Sequence, residues 1–116
     1  MRHLKKGRKF GRKKGQRKAF YKGLIANLIL KERIETTLAR AKEIKPKIEK
    51  MITLAKKQDL AHQRLLISRL PKKAALKLYY EIAPRYKERN GGCVRITGSS
   101  KTRSRDQAEM SIIEFV

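Results

Sequence analysis

The sequence predicts an α+β domain of two layers, in which about four helices pack on a small three-stranded sheet, preceded by a basic extended N-terminal arm. Three observations lead to this prediction. Residues 1–18 hold ten Lys or Arg, no acid and few large apolar side chains. Apolar residues then recur at helical spacing through most of residues 19–86, and two alternating segments close the chain. We therefore divide the chain into an arm, residues 1–18, and a single domain, residues 19–116.

The arm and the domain are both strongly basic. The 116 residues carry 32 Lys or Arg against 10 Asp or Glu, which gives a formal net charge of +22. Such a field favours a polyanion, and an arm with so little to bury cannot repay its ordering entropy alone. We therefore expect the arm to stay disordered until an anionic partner surrounds it. Its glycines recur every fourth residue, either to let the backbone approach phosphates or by coincidence.

Several classes of partner are not expected. The single Cys93 has no internal disulfide partner, which fits a reducing cytosol, and with only His3 and His62 available no Cys/His cluster suits zinc. No apolar run approaches the roughly eighteen residues of a membrane span, and the start lacks a secretory apolar stretch. We expect no cofactor, small-molecule substrate or membrane partner. An organellar origin stays open because transit peptides are also basic, although they are usually Ser-rich and this arm has no Ser.

The first helix is predicted from about Gln16 to Lys31 and joins the arm to the domain. Its apolar stripe consists of Phe20, Leu24 and Leu28, widened by Tyr21, Ile25 and Ile29. Gly23 weakens this helix by about 1 kcal/mol relative to Ala, so we expect it to mark close packing against a neighbour. The alternating segment Arg33 to Thr37 then predicts a short half-buried strand.

The second helix is predicted to begin with Thr37 as its cap and to run to about Lys57. Its apolar spacing includes Ile44, Ile48 and Ile52. Pro46 interrupts this helix, but at 100° per residue it points about 200° away from Ile44, towards solvent. The sequence therefore predicts one bent helix rather than two.

Two more helices and a hairpin complete the predicted domain. Asp59 caps a third helix with its apolar side at Leu60, Ala61, Leu65, Leu66 and Leu70, and Pro71 ends it. A fourth helix has its core stripe at Ala75, Tyr79, Ile82 and Tyr86, with Pro84 starting a final irregular turn. After the break at residues 90–92, strands at 94–97 and 110–116 flank a polar loop, residues 98–107. The loop carries Lys101, Arg103 and Arg105.

The candidate chemistry points to binding rather than catalysis. No phosphate-binding glycine loop, dinucleotide fingerprint or nucleophile elbow occurs, and no paired acids are visible. His62 could act as a base, but a surface or partly packed role is favoured because no partner is evident. Tyr79 and Tyr86 could stack on bases, yet their spacing places them on the core stripe, whereas Tyr80 lies off it.

Charge alone does not separate RNA from DNA. A small DNA-binding nucleoid or regulatory protein is the alternative, although no helix shows an obvious set of Arg, Asn or Gln for base edges. A nuclease is a third hypothesis, and it would require clustered acids and a metal.

Five segments decide between these classes by resemblance. They are MRHLKKGRKFGR, RIETTLARAKEI, ITLAKK, EIAPRYKERNGG and the closing IIEFV. Together they resemble the bacterial large-subunit ribosomal protein seventeen family along almost the whole chain. The resemblance implies the same order of helix, strand, three helices and two strands. It also implies a non-enzymatic protein of the cytoplasmic large ribosomal subunit, bound to ribosomal RNA near the outer end of the nascent-chain tunnel and beside neighbouring ribosomal proteins.

The expected RNA contacts come from charge and from the resemblance. Charge places them along the arm, on the first turns of the first helix and on the hairpin. The resemblance implies that Thr36, Thr37 and Lys42 lie in or beside RNA contacts. It also implies that Pro84, Arg85, Gly91 and Gly92 position the hairpin. The expected RNA-binding residues are Arg2, His3, Lys5, Lys6, Arg8, Lys9, Arg12, Lys13, Lys14, Arg17, Lys18, Lys22, Thr36, Thr37, Lys42, Arg95, Lys101, Arg103 and Arg105.

Overall fold

The computed structural model describes residues 3–4 and 6–116, and it confirms the α+β class. Met1 and the predicted RNA-binding residues Arg2 and Lys5 lie outside the described residues. The elements are α1 (Lys14–Lys31), β1 (Arg33–Thr37), α2 (Leu38–Lys56), α3 (Leu60–Arg69), α4 (Lys72–Lys77), β2 (Val94–Thr102) and β3 (Glu109–Phe115). A π-helical segment, Leu78–Ile82, and a 3-10 turn, Ala83–Tyr86, extend α4.

The sheet has the order β1-β3-β2, with both pairings antiparallel. Ile113 of β3 pairs with Ile34 of β1 on one side and with Ile96 of β2 on the other, and it is fully buried. The predicted strand at residues 33–37 is therefore confirmed, at the edge of the sheet. The last strand of the chain is the central strand.

Helix α2 packs against all three strands and forms the middle of the core. Its cap is the predicted one, because the Thr37 side chain accepts a hydrogen bond from the Arg40 backbone N–H at 3.3 Å. Pro46 is exposed and α2 continues through it, so the prediction of one helix is confirmed. Ile44, Ile48 and Ile52 face the core with at most 1% of their surface exposed.

Helix α3 packs beside α2 through fewer apolar residues than predicted, and α4 packs on α1 and α3. The Asp59 carboxylate caps α3, accepting from the His62 backbone N–H at 2.8 Å, as predicted. Leu66 and Leu70 are buried, but Leu60 is 58% exposed and does not join the core. The predicted stripe of the fourth helix is confirmed at Tyr79, which is buried together with Ile82 and Tyr86.

The geometry after α4 follows from Pro84. Proline lacks the N–H that would bond to the carbonyl four residues earlier, and its ring would clash with that carbonyl in a regular helix. The preceding turn widens instead, and the Ala83 backbone N–H bonds to the Leu78 carbonyl, five residues back. The 3-10 turn of residues 83–86 then ends the helical region.

The terminal hairpin differs from the predicted one in its lengths. Strand β2 extends to Thr102 rather than ending at Thr97, because an irregularity in pairing after Gly98 brings Thr102 opposite Glu109. Lys101, predicted on the loop, therefore lies in β2. The connection shortens to residues 103–108, and only Arg103 and Arg105 of the three predicted tip cations belong to it.

Gly23 does not have the predicted close neighbour. It is exposed, and a Cβ placed on it would meet nothing within 4 Å. The glycine therefore costs α1 backbone entropy without a packing gain. We expect Gly23→Ala to raise the free energy of unfolding by about 1 kcal/mol, measured by chemical denaturation.

Two further glycines give controls for that measurement. Gly15 is as open as Gly23 but lies in the first turn of α1, where Ala should help less. Gly91 has a φ of +110°, so Gly91→Ala should destabilise the protein by about 1 kcal/mol or more. A loss of stability in Gly23→Ala would show that the residue is packed after all.

Candidate nucleic-acid interface

A cluster of three aromatic rings holds the arm on α1. The Phe10 ring centroid lies 5.6 Å from that of Phe20 and 6.1 Å from that of Tyr21. The Tyr21 hydroxyl donates to the Arg8 carbonyl at 2.9 Å, and burial, followed by the nearby Glu43 carboxylate, raises the pKa of Tyr21. The disorder expected of the free arm stays a prediction, and these contacts show how residues 8–10 pack on α1 when the arm is ordered. Aromatic burial supplies the stabilisation that the arm's composition did not suggest.

Two predicted RNA-binding cations belong to this cluster. The Arg12 guanidinium carbon lies 4.1 Å from the Phe20 centroid, and its Nη1 donates to the Phe10 carbonyl at 2.9 Å. Arg17 Nη1 donates in turn to the Arg12 carbonyl at 3.0 Å. Both side chains are half-buried. Each of these two hydrogen bonds uses one of the five N–H donors of its guanidinium and helps to hold the arm in place.

Arg40 of α2 is a member of this cluster that sequence reasoning missed. Its guanidinium carbon lies 5.1 Å from the Phe20 centroid, which links α2 to the arm by a cation–π contact. The available signal was the presence of Phe10 in an otherwise apolar-poor arm, ten residues before a second Phe. Nothing in the local sequence connects either ring to residue 40.

Arg8 is paired with Glu43, but the remaining described cations of the arm and of early α1 are exposed. None of their side chains forms an ion pair within residues 3–4 and 6–116. They are Lys6, Lys9, Lys13, Lys14, Lys18 and Lys22, and His3 is exposed as well. These groups can meet phosphates without first breaking an internal bond.

A depression of about 300 Å³ joins the arm to the base of the hairpin. Arg8, Thr37 and Lys42 line it, together with Ala108 and Glu109 beside β3. Arg8 Nη1 is held by the Glu43 carboxylate at 3.2 Å. The structure therefore brings together three predicted RNA-binding residues from the arm and α2. Thr36 is not among them, because it is 6% exposed and its carbonyl faces the Ser111 hydroxyl of β3.

The hairpin presents its cations unequally. Arg103 donates through Nε and Nη2 to Asp106 at 3.0 and 2.5 Å, which lowers the pKa of Asp106 to about 2. Arg95, in β2, donates to the Glu114 carboxylate at 2.9 Å. Lys101 and Arg105 are exposed and have no ion pair within the part of the chain that the structure describes. The free positive charge of the hairpin is thus that of Lys101 and Arg105.

The sequence pattern of the family described as Ribosomal protein L17 matches residues 20–116. The chain belongs to the ribosomal protein L17 family. Three proteins named Large ribosomal subunit protein bL17 show the extent of the similarity. Those of Persephonella marina, Thermodesulfovibrio yellowstonii and Fusobacterium nucleatum are 51%, 48% and 48% identical to this chain. Each alignment covers 100% of this chain, and 95%, 87% and 100% of the respective relative.

The L17 family match confirms the resemblance and begins at the end of the arm. The match runs from Phe20, the ring on which Phe10 packs, through the hairpin to the last residue. The alignments to the three bL17 proteins extend over the arm as well. Membership in this structural family confirms that the chain is not an enzyme.

The titratable groups outside the basic surfaces have structural roles in this L17 family member. His62 does have a partner, since its Nδ1 lies 2.5 Å from the Asp59 carboxylate. The hydrogen bond from the His62 backbone N–H, followed by this side-chain contact, lowers the pKa of Asp59. Burial and the nearby Glu49 raise the pKa of the Cys93 thiol.

The described residues contain no group of three or more His, Cys, Asp or Glu placed to hold a metal ion. They also include no helix long and apolar enough to cross a membrane.

Proposed function

We propose that this protein is a structural component of the large ribosomal subunit that binds ribosomal RNA through its basic arm and hairpin and thereby supports subunit assembly and translation. Its expected partners are large-subunit RNA and neighbouring large-subunit proteins in the bacterial cytoplasm. The observation that supports this best is the depression between the arm and the hairpin base. It places Arg8 of the arm beside Thr37, Lys42 and the start of β3.

The charges on either side of that depression support an electrostatic mechanism. Arg8 connects the depression to the arm with its exposed lysines, and Ala108 and Glu109 connect it to the hairpin that carries Lys101 and Arg105. Two separate cationic projections that meet at one depression can neutralise phosphates on more than one RNA segment. A protein of this kind would help hold adjacent RNA segments together while the subunit folds.

The DNA-binding alternative has less support. The charge would serve it equally well, but no helix shows an obvious set of Arg, Asn or Gln placed for base edges. The relatives are named as ribosomal proteins, which favours RNA.

Sedimentation tests the proposal directly. A tagged version of the chain, expressed in bacteria, should sediment with large subunits in a sucrose gradient at moderate salt and should leave them only when salt is high. A tagged chain that stays at the top of the gradient, or that follows chromosomal DNA after ribonuclease treatment, would contradict the proposed function.

Replacing the two free hairpin cations should weaken RNA binding with little effect on folding. We expect Lys101→Ala with Arg105→Ala to lower the affinity for large-subunit RNA roughly tenfold and to reduce the salt slope by about 2. The free energy of unfolding should change by less than about 0.5 kcal/mol, because both side chains are exposed. Filter binding at several salt concentrations and thermal melting measure the two effects.

A matched pair controls for the lost charge. Lys57→Ala with Arg64→Ala removes the same charge elsewhere, because Lys57 follows the far end of α2, about 30 Å from Thr37 along the helix, and Arg64 lies on α3. Arg103→Ala gives a second comparison, since it should raise the pKa of Asp106 from about 2 towards the ordinary 3.8, seen by NMR titration. Equal loss of affinity in the hairpin and control pairs would argue against a specific role for the hairpin.

A further inference from the structure

A second basic surface lies between α1 and α2, apart from the hairpin. It is a groove of about 570 Å³, and Ser68 and Arg69 of α3 also line it. Its apolar floor is formed by Tyr21 and Ile25 of α1 and by Met51 of α2. Pockets that take small organic groups have volumes of roughly 300–1,000 Å³. The groove is therefore large enough for a planar organic group and is not merely a contact point for one phosphate.

The charged residues that line the groove are all cations and form its rim. They are Lys18, Lys22, Lys47, Lys50 and Arg69. Among the residues that the structure describes, no acid lines the groove. The two acids of α2 are turned elsewhere: Glu43 is bonded to Arg8, and Glu49 accepts from the Val94 backbone N–H at 3.0 Å.

The rim cations differ in how firmly they are placed. Lys47 is half-buried, with its Nζ 4.8 Å from the Tyr21 ring centroid, so it holds one side of the floor in position. Lys18, Lys22 and Lys50 are exposed and form no ion pair within the described residues. Their ammonium groups can follow a chain of phosphates that passes over the floor.

We propose that this groove holds an unpaired nucleotide of ribosomal RNA, with the base on the apolar floor and the flanking phosphates on the cationic rim. The inference rests on the proposed function and specifies which form of RNA this surface takes. A duplex presents phosphates and sugars outward, while its bases are stacked inside, so it would leave the floor uncovered. An unpaired nucleotide supplies both the flat apolar face and the negative charge.

RNA also fits the groove better than an acidic peptide. Lys18 and Lys22 belong both to the rim and to the run of exposed lysines that continues from the arm. A polyanion that follows the arm can therefore enter the groove without leaving the positive surface. A short acidic peptide would contact the rim and the floor but would not extend to the exposed lysines of the arm.

The test uses the full-length protein and two probes of equal charge. One is a single-stranded RNA of about 24 nucleotides with a central 2-aminopurine, and the other is a duplex of about 12 base pairs with the same number of phosphates. Ser68→Trp fills the groove without changing charge, since Ser68 is exposed and its hydroxyl bonds only to the Leu65 carbonyl within the described chain. We expect Ser68→Trp to weaken single-strand binding about tenfold, as loss of one base contact would, and to change duplex binding less than about twofold.

Thr53→Trp is the matched control for that substitution. Thr53 is exposed on α2, its hydroxyl makes the same kind of local bond, to the Glu49 carbonyl, and it does not line the groove. It should leave both affinities unchanged. If Ser68→Trp disturbs folding, as judged by circular dichroism melting, the pair Lys50→Ala and Arg69→Ala replaces it. That pair should lower the salt slope for the single strand by about 2 while the 2-aminopurine signal on binding diminishes.

The outcomes separate this inference from the proposed function. Ser68→Trp with unchanged single-strand binding, or with equal losses for single strand and duplex, would overturn the inference while RNA binding itself stands. The inference would also be overturned, in favour of a protein partner, by one result with a Leu-containing hexaglutamate peptide. That result is displacement of the single strand from the groove at a lower concentration than unlabelled RNA requires. A wild-type chain that binds neither RNA probe would reject the proposed function.

Discussion

Raising the salt concentration from about 50 to about 200 mM should weaken the affinity of this protein for large-subunit RNA by a thousandfold or more. Each Lys or Arg that neutralises a phosphate releases counterions, and six to ten such contacts account for a loss of roughly 10³ to 10⁵ over this range. The described part of the arm and early α1 supplies six exposed lysines without ion pairs, and the hairpin supplies Lys101 and Arg105. The number of available cations therefore suffices.

Filter binding or fluorescence anisotropy with a large-subunit RNA fragment measures this dependence. Thermal melting over the same salt range serves as the control, because the protein must stay folded throughout. A nearly flat dependence would contradict phosphate neutralisation as the dominant mechanism. Binding would then have to come from base contacts and apolar surface.

Removal of residues 1–9 is expected to have the second large effect. This truncation deletes five cations but keeps Phe10, Arg12 and all of α1. We expect RNA affinity to fall by roughly a hundredfold and the salt slope by about 4. Incorporation into large subunits should be poor. The helical circular dichroism and cooperative melting should persist, because the core residues begin at Ile25.

The full-length variant Phe10→Ala controls for the position of the arm as distinct from its charge. It keeps every cation but removes the ring that packs on Phe20 and Tyr21. Protease should then cleave the free arm faster, while RNA affinity at low salt should fall much less than in the truncated chain. Unimpaired incorporation of the truncated chain would show that residues 1–9 are not needed for assembly, and its unfolding would show that they stabilise the domain.

The elements that sequence predicted well are those determined by neighbouring residues. The Thr37 and Asp59 caps each bond to a backbone N–H three residues later, so a short window contains the whole signal. Pro46 could be placed on the solvent side because its angle from Ile44 depends only on helical geometry. The burial of Tyr79 and the exposure of Tyr80 follow from the same periodicity.

The features that sequence did not predict depend on distant contacts. Arg8 meets Glu43, 35 residues away, and Phe20 receives Arg40 from another helix, so neither pairing is visible in a local pattern. The candidate groove needs α1, α2 and α3 in their folded arrangement before its rim becomes continuous. The prediction that Gly23 packs closely against a neighbour was wrong because a glycine in a helix is consistent with open solvent as well as with close packing.

The central position of β3 has a consequence for the synthesis of the chain. Strands β1 and β2 each hydrogen-bond to β3, and no pairing joins them directly within the described residues. Strand β3 follows β1 and β2 in chain order, so the sheet can form only after residues 109–115 have emerged from the ribosome. Until then the apolar side of α2 has no sheet to cover it. In a nascent copy of this protein, β1 and β2 therefore lack their shared pairing partner until β3 inserts between them.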